Sequence, residues 1–124
     1  MFDAEALASN ILDDAISRGA EHVWLEPKRD HLRVRVRVGE NAIIETMILP
    51  KEHALPLVSQ FKKLAGLNLS IHTVVQRGFL VFTSRQNECY FWTTTLPTLY
   101  GEKIVVCMAS NEGLLPELRL PTNL

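Results

Sequence analysis

The sequence has little of what marks metalloproteins, disulfide-rich proteins and membrane proteins. Its two cysteines, Cys89 and Cys107, have the spacing of neither a metal site nor a disulfide framework, so we expect two reduced, partly buried thiols. The four histidines are dispersed, and none is paired with another ligand at a metal-binding spacing. No apolar run approaches the ~20 residues that a helix needs to span a bilayer. We therefore expect no metal and no direct insertion into a membrane.

Two further absences concern nucleotides and nucleic acid. The six glycines are scattered, and none belongs to a Gly-x-x-x-x-Gly-Lys-Ser/Thr loop, whose backbone amides would hold nucleotide phosphates. Lysine and arginine number 13 and aspartate and glutamate 14, a formal net charge of −1, so no general attraction to nucleic acid arises. The sequence predicts no catalytic residue, no cofactor and no nucleic-acid partner.

What is present is typical of one soluble globular domain. Hydrophobic residues make up 47% of the 124-residue chain, which suffices for a small core. Met1 to Glu5 carry neither a basic nor a long apolar segment, so we expect no signal peptide and a cytoplasmic location. We assign the domain to residues 1–110. Residues 111–124 contain two prolines and no clear periodicity, and we expect a linker-like C-terminal tail there.

The spacing of apolar residues predicts the order α-β-β-β-α-β-β-β. Helical spacing predicts helices over residues 4–18, between an Asp3 cap and Gly19, and from Pro50 or Ala54 to Ala65. Alternation and turn residues predict strands at 22–25, 31–38, 42–48 and about 79–84, 89–95 and 103–108. The fold class that follows is α+β: a two-layer sandwich with a mostly antiparallel six-stranded sheet and both helices on one face.

Two details of this map can be tested. A three-residue loop, 39–41, keeps one face of the first hairpin apolar; it pairs Val38 with Ala42, Val36 with Ile44, Val34 with Thr46 and Arg35 with Glu45. We expect the Arg35–Glu45 pair to be mostly exposed. Near the C-terminus, a turn centred between Pro97 and Tyr100 predicts that Cys89 and Cys107 lie nearly opposite each other. The buried stripe of the second helix is expected to comprise Leu57, Val58, Phe61, Leu64 and Ala65.

Three arginines and two tryptophans are the candidate interface residues. Arg33, Arg35 and Arg37 share one strand face, which is either a solvated surface or a stripe that binds a partner. For Trp24 and Trp92 three interpretations stay open: core packing, a partner interface, or the wall of a small-ligand pocket.

One stretch near the C-terminus resembles a known family. Thr94-Thr95-Leu96-Pro97-Thr98-Leu99-Tyr100-Gly101-Glu102-Lys103-Ile104-Val105-Val106 resembles the S-T-L-P-T-x-x-G-E-K-I-V-x-R element in the N-terminal domain of type II secretion and type IV pilus ATPases. Similar segments occur in matching order over roughly residues 5 to 120. The positions that carry the motifs are Glu26, Pro27, Thr94, Thr95, Pro97, Thr98, Gly101, Glu102 and Lys103.

The resemblance implies a PAS-like domain whose family arginines reach nucleotide on an ATPase domain. Those arginines correspond to Gln60, Phe79, Trp92 and Cys107, none of them basic. Arg77 lies close to the Phe79 position, but we expect its side chain on the opposite face of its strand. The chain therefore resembles a family domain that has lost its nucleotide-facing charges.

The resemblance also implies a role. We expect a non-enzymatic protein-interaction or regulatory module of a type II secretion or type IV pilus machine. Its expected partners are machinery proteins, a full-length motor ATPase or a second copy of the chain. Two alternatives stay open: an excised fragment of a hexameric secretion ATPase, and a PAS-like small-ligand sensor.

Overall fold

The computed structural model describes residues 2–109 of the chain, and the expected tail over residues 111–124 lies outside them. Within this part the elements follow the predicted order. They are α1 (Ala4–Ser17), β1 (His22–Pro27), β2 (His31–Val38), β3 (Ala42–Pro50), a 3₁₀ turn (Lys51–His53), α2 (Ala54–Leu64), β4 (Gln76–Ser84), β5 (Asn87–Thr98) and β6 (Gly101–Met108).

The six strands form one sheet in the order β3-β2-β1-β6-β5-β4, and every neighbouring pair is antiparallel. The two central strands, β1 and β6, are the first and last strands of the described chain, so the middle of the sheet joins residues that are far apart in sequence. Apolar side chains of both helices pack on alternate residues of the strands in one core. This architecture confirms the predicted two-layer α+β sandwich.

Local signals set the ends of both helices. Asp3 caps α1, since its Oδ1 accepts a hydrogen bond from the Ala6 amide at 3.1 Å. Pro56 lies in the first turn of α2, where its missing N–H costs nothing. None of the helices in the described residues is long and apolar enough to cross a bilayer.

The predicted buried stripe of α2 is wrong at one residue, Leu64. Val58, Phe61 and Ala65 are buried as expected, but Leu64 is 39% exposed and Lys62 is fully buried. The stripe follows the steps 58, 61, 62 and 65, so Leu64 lies at its margin. A buried lysine inside an apolar stripe must have a buried partner, which is described below.

The first hairpin has the predicted register near its loop but not beyond it. Val38 pairs with Ala42, Val36 with Ile44 and Arg35 with Glu45, as expected. A bulge then shifts the register, and Val34 pairs with Met47 instead of Thr46. The hydroxyl of Thr46 donates a hydrogen bond to the Val34 carbonyl at 3.4 Å, which occupies the extra residue of the bulge.

The predicted placement of the two cysteines is wrong. Cys107 is opposite Trp92, whereas Cys89 is opposite Phe82 on the other neighbouring strand. The β5–β6 turn pairs Thr98 directly with Gly101, and this two-residue turn displaces Cys89 by three positions from Cys107. An odd displacement also places the two side chains on opposite faces of the sheet. Both thiols are free.

Candidate functional site: the outer face of the sheet

The face of the sheet opposite the helices, called the outer face here, has no helix of residues 2–109 packed on it. The three arginines of β2 point to this face, as predicted, because they alternate with buried Leu32, Val34 and Val36. Basic side chains outnumber acidic ones on it: Arg33, Arg35, Arg37, Arg77 and Lys103 against Glu26, Glu45 and Glu88. The outer face is therefore positive, although the chain as a whole carries −1.

Glu26 is the electrostatic centre of one end of this face. Arg35 donates two hydrogen bonds to its carboxylate, from Nε to Oε1 at 2.7 Å and from Nη2 to Oε2 at 3.1 Å. Arg33 Nε lies 3.4 Å from Oε1, and Lys103 Nζ lies 3.3 Å from Oε2. The Glu26 side chain is only 8% exposed, so the three cations compensate a carboxylate that is almost removed from water.

The expected Arg35–Glu45 ion pair does not form. Glu45 is opposite Arg35 in register, but its nearest basic contact is Arg33 Nε at 3.9 Å. Arg35 turns instead to Glu26, where burial strengthens the attraction and both donors of the guanidinium fork are used. Arg37 also bonds within the domain, to the carbonyls of Gly39 at 3.3 Å and Glu40 at 2.8 Å.

Burial would raise the pKa of Glu26, but hydrogen bonds and charge from Arg35 and Lys103 outweigh it and hold the pKa below the ordinary 4.5. A carboxylate whose pKa is lowered in the native state stabilises the fold at pH values above its unfolded-state pKa. For Glu26 this stabilisation disappears as the pH falls below about 4.5.

We expect Glu26→Gln to lower the stability of the domain at neutral pH and to flatten the decline of stability in acid. Denaturant unfolding across pH measures the difference, with Glu45→Gln as a control for losing one exposed carboxylate. An unchanged acid slope in Glu26→Gln would contradict the assignment.

Both tryptophans lie half-buried on the outer face, so the core interpretation is wrong for both. Trp24 stacks with His22 at a centroid distance of 5.7 Å, and the Arg35 guanidinium lies 5.6 Å from its ring. Trp92 meets Phe79 edge to face at 5.0 Å, and the Arg77 guanidinium lies 4.5 Å from its ring centroid. Aromatic rings beneath guanidinium groups give this face both apolar and cationic character.

Three of the four positions at which the family resemblance implies arginines lie in one row of neighbouring residues. Phe79 is opposite Trp92, and Trp92 is opposite Cys107, across β4, β5 and β6. Cys107 Sγ lies 3.5 Å from His22 Nε2, and burial raises the pKa of this thiol. The fourth position, Gln60, is on α2 in the other layer. Two aromatic rings and a protonated thiol thus occupy a row that could otherwise have presented a phosphate clamp.

The expectation for Arg77 is wrong. Arg77 is two residues from Phe79, so both side chains point to the outer face. Its guanidinium covers Trp92 next to the row of Phe79, Trp92 and Cys107. One exposed cation therefore lies beside the three positions at which the resemblance implies arginines.

A second polar cluster lies between the helices and the sheet. The sequence patterns did not predict it, although Glu102 is one of the motif positions. Lys62 Nζ donates to both carboxylate oxygens of Glu102, at 2.9 and 3.2 Å, and to the Ile71 carbonyl at 2.7 Å. His72 Nδ1 lies 2.7 Å from Glu102 Oε1. The side chains of Lys62 and Glu102 are 1% and 4% exposed. The signal that could have revealed the cluster is a lysine one step after Phe61 in an otherwise apolar stripe.

Comparison with known proteins places the chain in a family. A model described as type II/IV secretion system protein matches residues 3–119. The chain belongs to the type II/IV secretion system protein family. It is 26% identical to the type IV pilus assembly ATPase PilB of Thermus thermophilus, over 93% of this chain and 13% of the relative. For PilB of Myxococcus xanthus the identity is 30%, over 87% and 19%, and for the competence protein ComGA of Bacillus subtilis 22%, over 98% and 32%. The chain therefore spans a third or less of these relatives.

Within this family member, most motif positions have structural roles. Glu26 and Lys103 form the ion cluster of the outer face, and Glu102 binds Lys62. Thr95 is fully buried, and its hydroxyl accepts a hydrogen bond from the Gln76 amide at 3.3 Å. The other positions lie on β5 or at its turn: Thr94 on the outer face, Pro97, and Thr98, whose hydroxyl donates to the Gly101 carbonyl. Pro27 lies at the end of β1, near Gly101.

Proposed function

We propose that this domain is a non-catalytic protein-interaction module of a type II secretion or type IV pilus machine, which docks through the outer face in the cytoplasm. The observation that carries the proposal is the row of Phe79, Trp92 and Cys107. Apolar and aromatic groups stand there where the family resemblance implies arginines for nucleotide. Such a row cannot hold a phosphate but offers area that a protein partner can cover.

The composition of the outer face supports a protein partner. Tryptophan, tyrosine, phenylalanine and arginine are the residue types enriched at the centres of protein interfaces. Trp92, Phe79 and Tyr90 are in contact on adjoining strands, with ring centroids 5.0 and 6.1 Å from that of Phe79. Exposed aliphatic side chains extend the area toward both sheet edges: Ile43 at 55%, Ile48 at 60% and Val81 at 47% exposure.

Charge indicates what the partner surface carries. Glu26 neutralises part of the positive charge, but Arg77 is exposed and has no acidic partner among the ion pairs of residues 2–109. A complementary surface therefore has an apolar centre with acidic groups at its rim. We propose a full-length motor ATPase of the same family as this partner, since relatives of the chain include pilus assembly ATPases and type II secretion system protein E.

The test is binding to a purified motor ATPase of the same cell by biolayer interferometry. We expect Trp92→Ala to weaken binding by about 30-fold, the effect of a hot-spot residue worth ~2 kcal/mol. Arg77→Ala is a second variant, at an exposed residue whose replacement is expected to leave the fold intact. Leu64→Ala is the matched control, because Leu64 is 39% exposed but lies on the helical layer.

Two results would overturn the proposal. Folded Trp92→Ala and Arg77→Ala proteins that bind like the wild type would exclude the outer face as the docking surface. Equal loss of binding in Leu64→Ala would show that the contact is not specific to this face. Melting temperatures of all variants separate loss of binding from loss of folding.

Arg77 favours a second candidate function, in which the chain contributes one charge to nucleotide held by an ATPase domain. Its guanidinium lies beside the row of missing arginines, 4.5 Å from the Trp92 ring centroid. A single cation without a phosphate loop does not form a nucleotide site by itself. We therefore expect calorimetric titration of the chain with Mg-ATP to give no saturable heat below about millimolar ligand. The second candidate predicts instead that adding the wild-type chain, but not the Arg77→Ala variant, tightens the binding of Mg-ATP by the motor ATPase.

A further inference from the structure

We propose that a cavity between the start of α2 and the β5–β6 turn binds a small molecule with a carboxylate head and an apolar body. The cavity measures about 360 Å³, within the range of small-molecule sites. None of the outer-face residues Trp24, Trp92, Phe79 and Arg77 lines it. This binding site is therefore separate from the proposed docking surface, and each can fail without the other.

Apolar groups form most of the wall and define the body of the ligand. They come from three elements that meet only in the folded domain: the end of β1, the first turns of α2, and the β5–β6 turn. The side chains are those of Pro27, Ala54, Leu55, Val58 and Tyr100. The base lies against the buried Val58 and Glu102, whereas Leu55 and Tyr100 are 64% and 36% exposed at the rim. This concave shape encloses a small body, while a flat protein surface would reach only the rim.

Lys51 supplies the positive charge that selects the head group. Its ammonium group donates to the carbonyls of Lys28 at 2.6 Å and Tyr100 at 2.8 Å. An ammonium has three N–H donors, so one remains for a ligand. The two carbonyls are neutral, and the charge of Lys51 therefore stays uncompensated by these partners while they fix its position at the cavity wall.

Among residues 2–109, Glu102 is the one acidic side chain that lines the cavity, and its charge is already balanced. Lys62 donates to both of its oxygens from behind, and His72 contacts the same carboxylate through Nδ1. The Nε2 atom of His72 is left for a ligand, since His72 lines the cavity and its side chain is 49% exposed. Asp30 acts on the charge of Lys51 at longer range, but it does not line the cavity, and its ion pair is with His31. The unbalanced charge of the lining is thus positive, which suits a carboxylate and disfavours an ammonium.

Three probes with one phenylpropyl body test the charge preference: hydrocinnamate, phenylpropylamine and phenylpropanol. Amide chemical shifts of the 124-residue chain are followed by NMR as each probe is added. We expect hydrocinnamate to bind about tenfold more tightly than the amine, with the alcohol between them. The largest shifts are expected at Ala54, Leu55 and Tyr100. No saturable binding, or equal binding of all three probes, would overturn the proposal.

Two variants with matched controls locate the site. Lys51→Met removes the cavity charge, and Lys63→Met removes an exposed lysine of α2 that does not line the cavity. Leu55→Glu adds a negative charge at the rim, and Leu64→Glu adds it at an exposed residue of the same helix outside the cavity. We expect the first of each pair to lose the preference for hydrocinnamate and the second to keep it. If Lys51→Met does not fold, the Leu55→Glu variant tests the location of the site by itself. Hydrocinnamate binding that is unchanged in Leu55→Glu would overturn the proposal.

Discussion

Lys62→Met is expected to destabilise the domain by about 3–5 kcal/mol, the usual cost of removing one partner from a buried ion pair. Lys62 supplies two of the three polar contacts of the Glu102 carboxylate, and both side chains are almost fully buried. Methionine fills the space but leaves the carboxylate with His72 alone. The Ile71 carbonyl, which accepts from Lys62 at 2.7 Å, also loses that hydrogen bond and keeps only the longer one from Gln76 Nε2 at 3.2 Å. A small domain has about 5–15 kcal/mol of stability in total, so the effect is large in denaturant unfolding.

A double variant separates the lost charge pair from lost packing. Lys62→Met/Glu102→Met replaces both partners by apolar side chains, and we expect it to recover at least half of the loss, because no charge is left buried. Lys63→Met, at the exposed neighbouring residue, is expected to stay within about 0.5 kcal/mol of the wild type. A Lys62→Met protein as stable as Lys63→Met would show that the buried pair contributes nothing to folding.

The parts of the fold that sequence predicted well are those set by near neighbours. Alternation along residues 31–38 defined β2 and placed its arginines on one face. Asp3 marked the start of α1, and Pro56 marked the first turn of α2. Each of these signals acts within a few residues, through a cap, a period or a missing N–H. The order of such elements was sufficient for the fold class.

Contacts between distant residues could not be predicted in the same way. Arg35 was expected to pair with Glu45 but binds Glu26 instead, because Glu26 is more deeply buried. The burial of Glu26 depends on the assembled sheet, which local sequence patterns do not describe. Lys62 and Glu102 are 40 residues apart, so only packing of α2 on β6 brings them together. The error for Cys89 and Cys107 has a similar origin, since the position of one tight turn sets the register of two whole strands.

The family resemblance gave positions but not their arrangement. It identified Phe79, Trp92 and Cys107 as separate sites of lost arginines, and the sheet brings them into one row. The same row speaks against core packing of Trp92, because a side chain on the outer face cannot fill the core. The candidate interface stays a prediction, and the internal bonding of Arg35 and Arg37 reduces how far either of them can reach a partner.

Gly78→Ala is expected to cost about 3 kcal/mol, the upper end for overpacking, because the obstacle is backbone. A Cβ at Gly78 would overlap the Ala65 carbonyl oxygen and lie 2.8 Å from Leu67 Cδ2, where the chain leaving α2 crosses β4. Gly39→Ala is the matched control: its φ of +72° strains an alanine by about 1–2 kcal/mol, but nothing lies within 4 Å of the new Cβ. Denaturant unfolding compares the two variants. A smaller loss for Gly78→Ala than for Gly39→Ala would show that the chain after α2 yields at this crossing, and that close approach is not what requires glycine there.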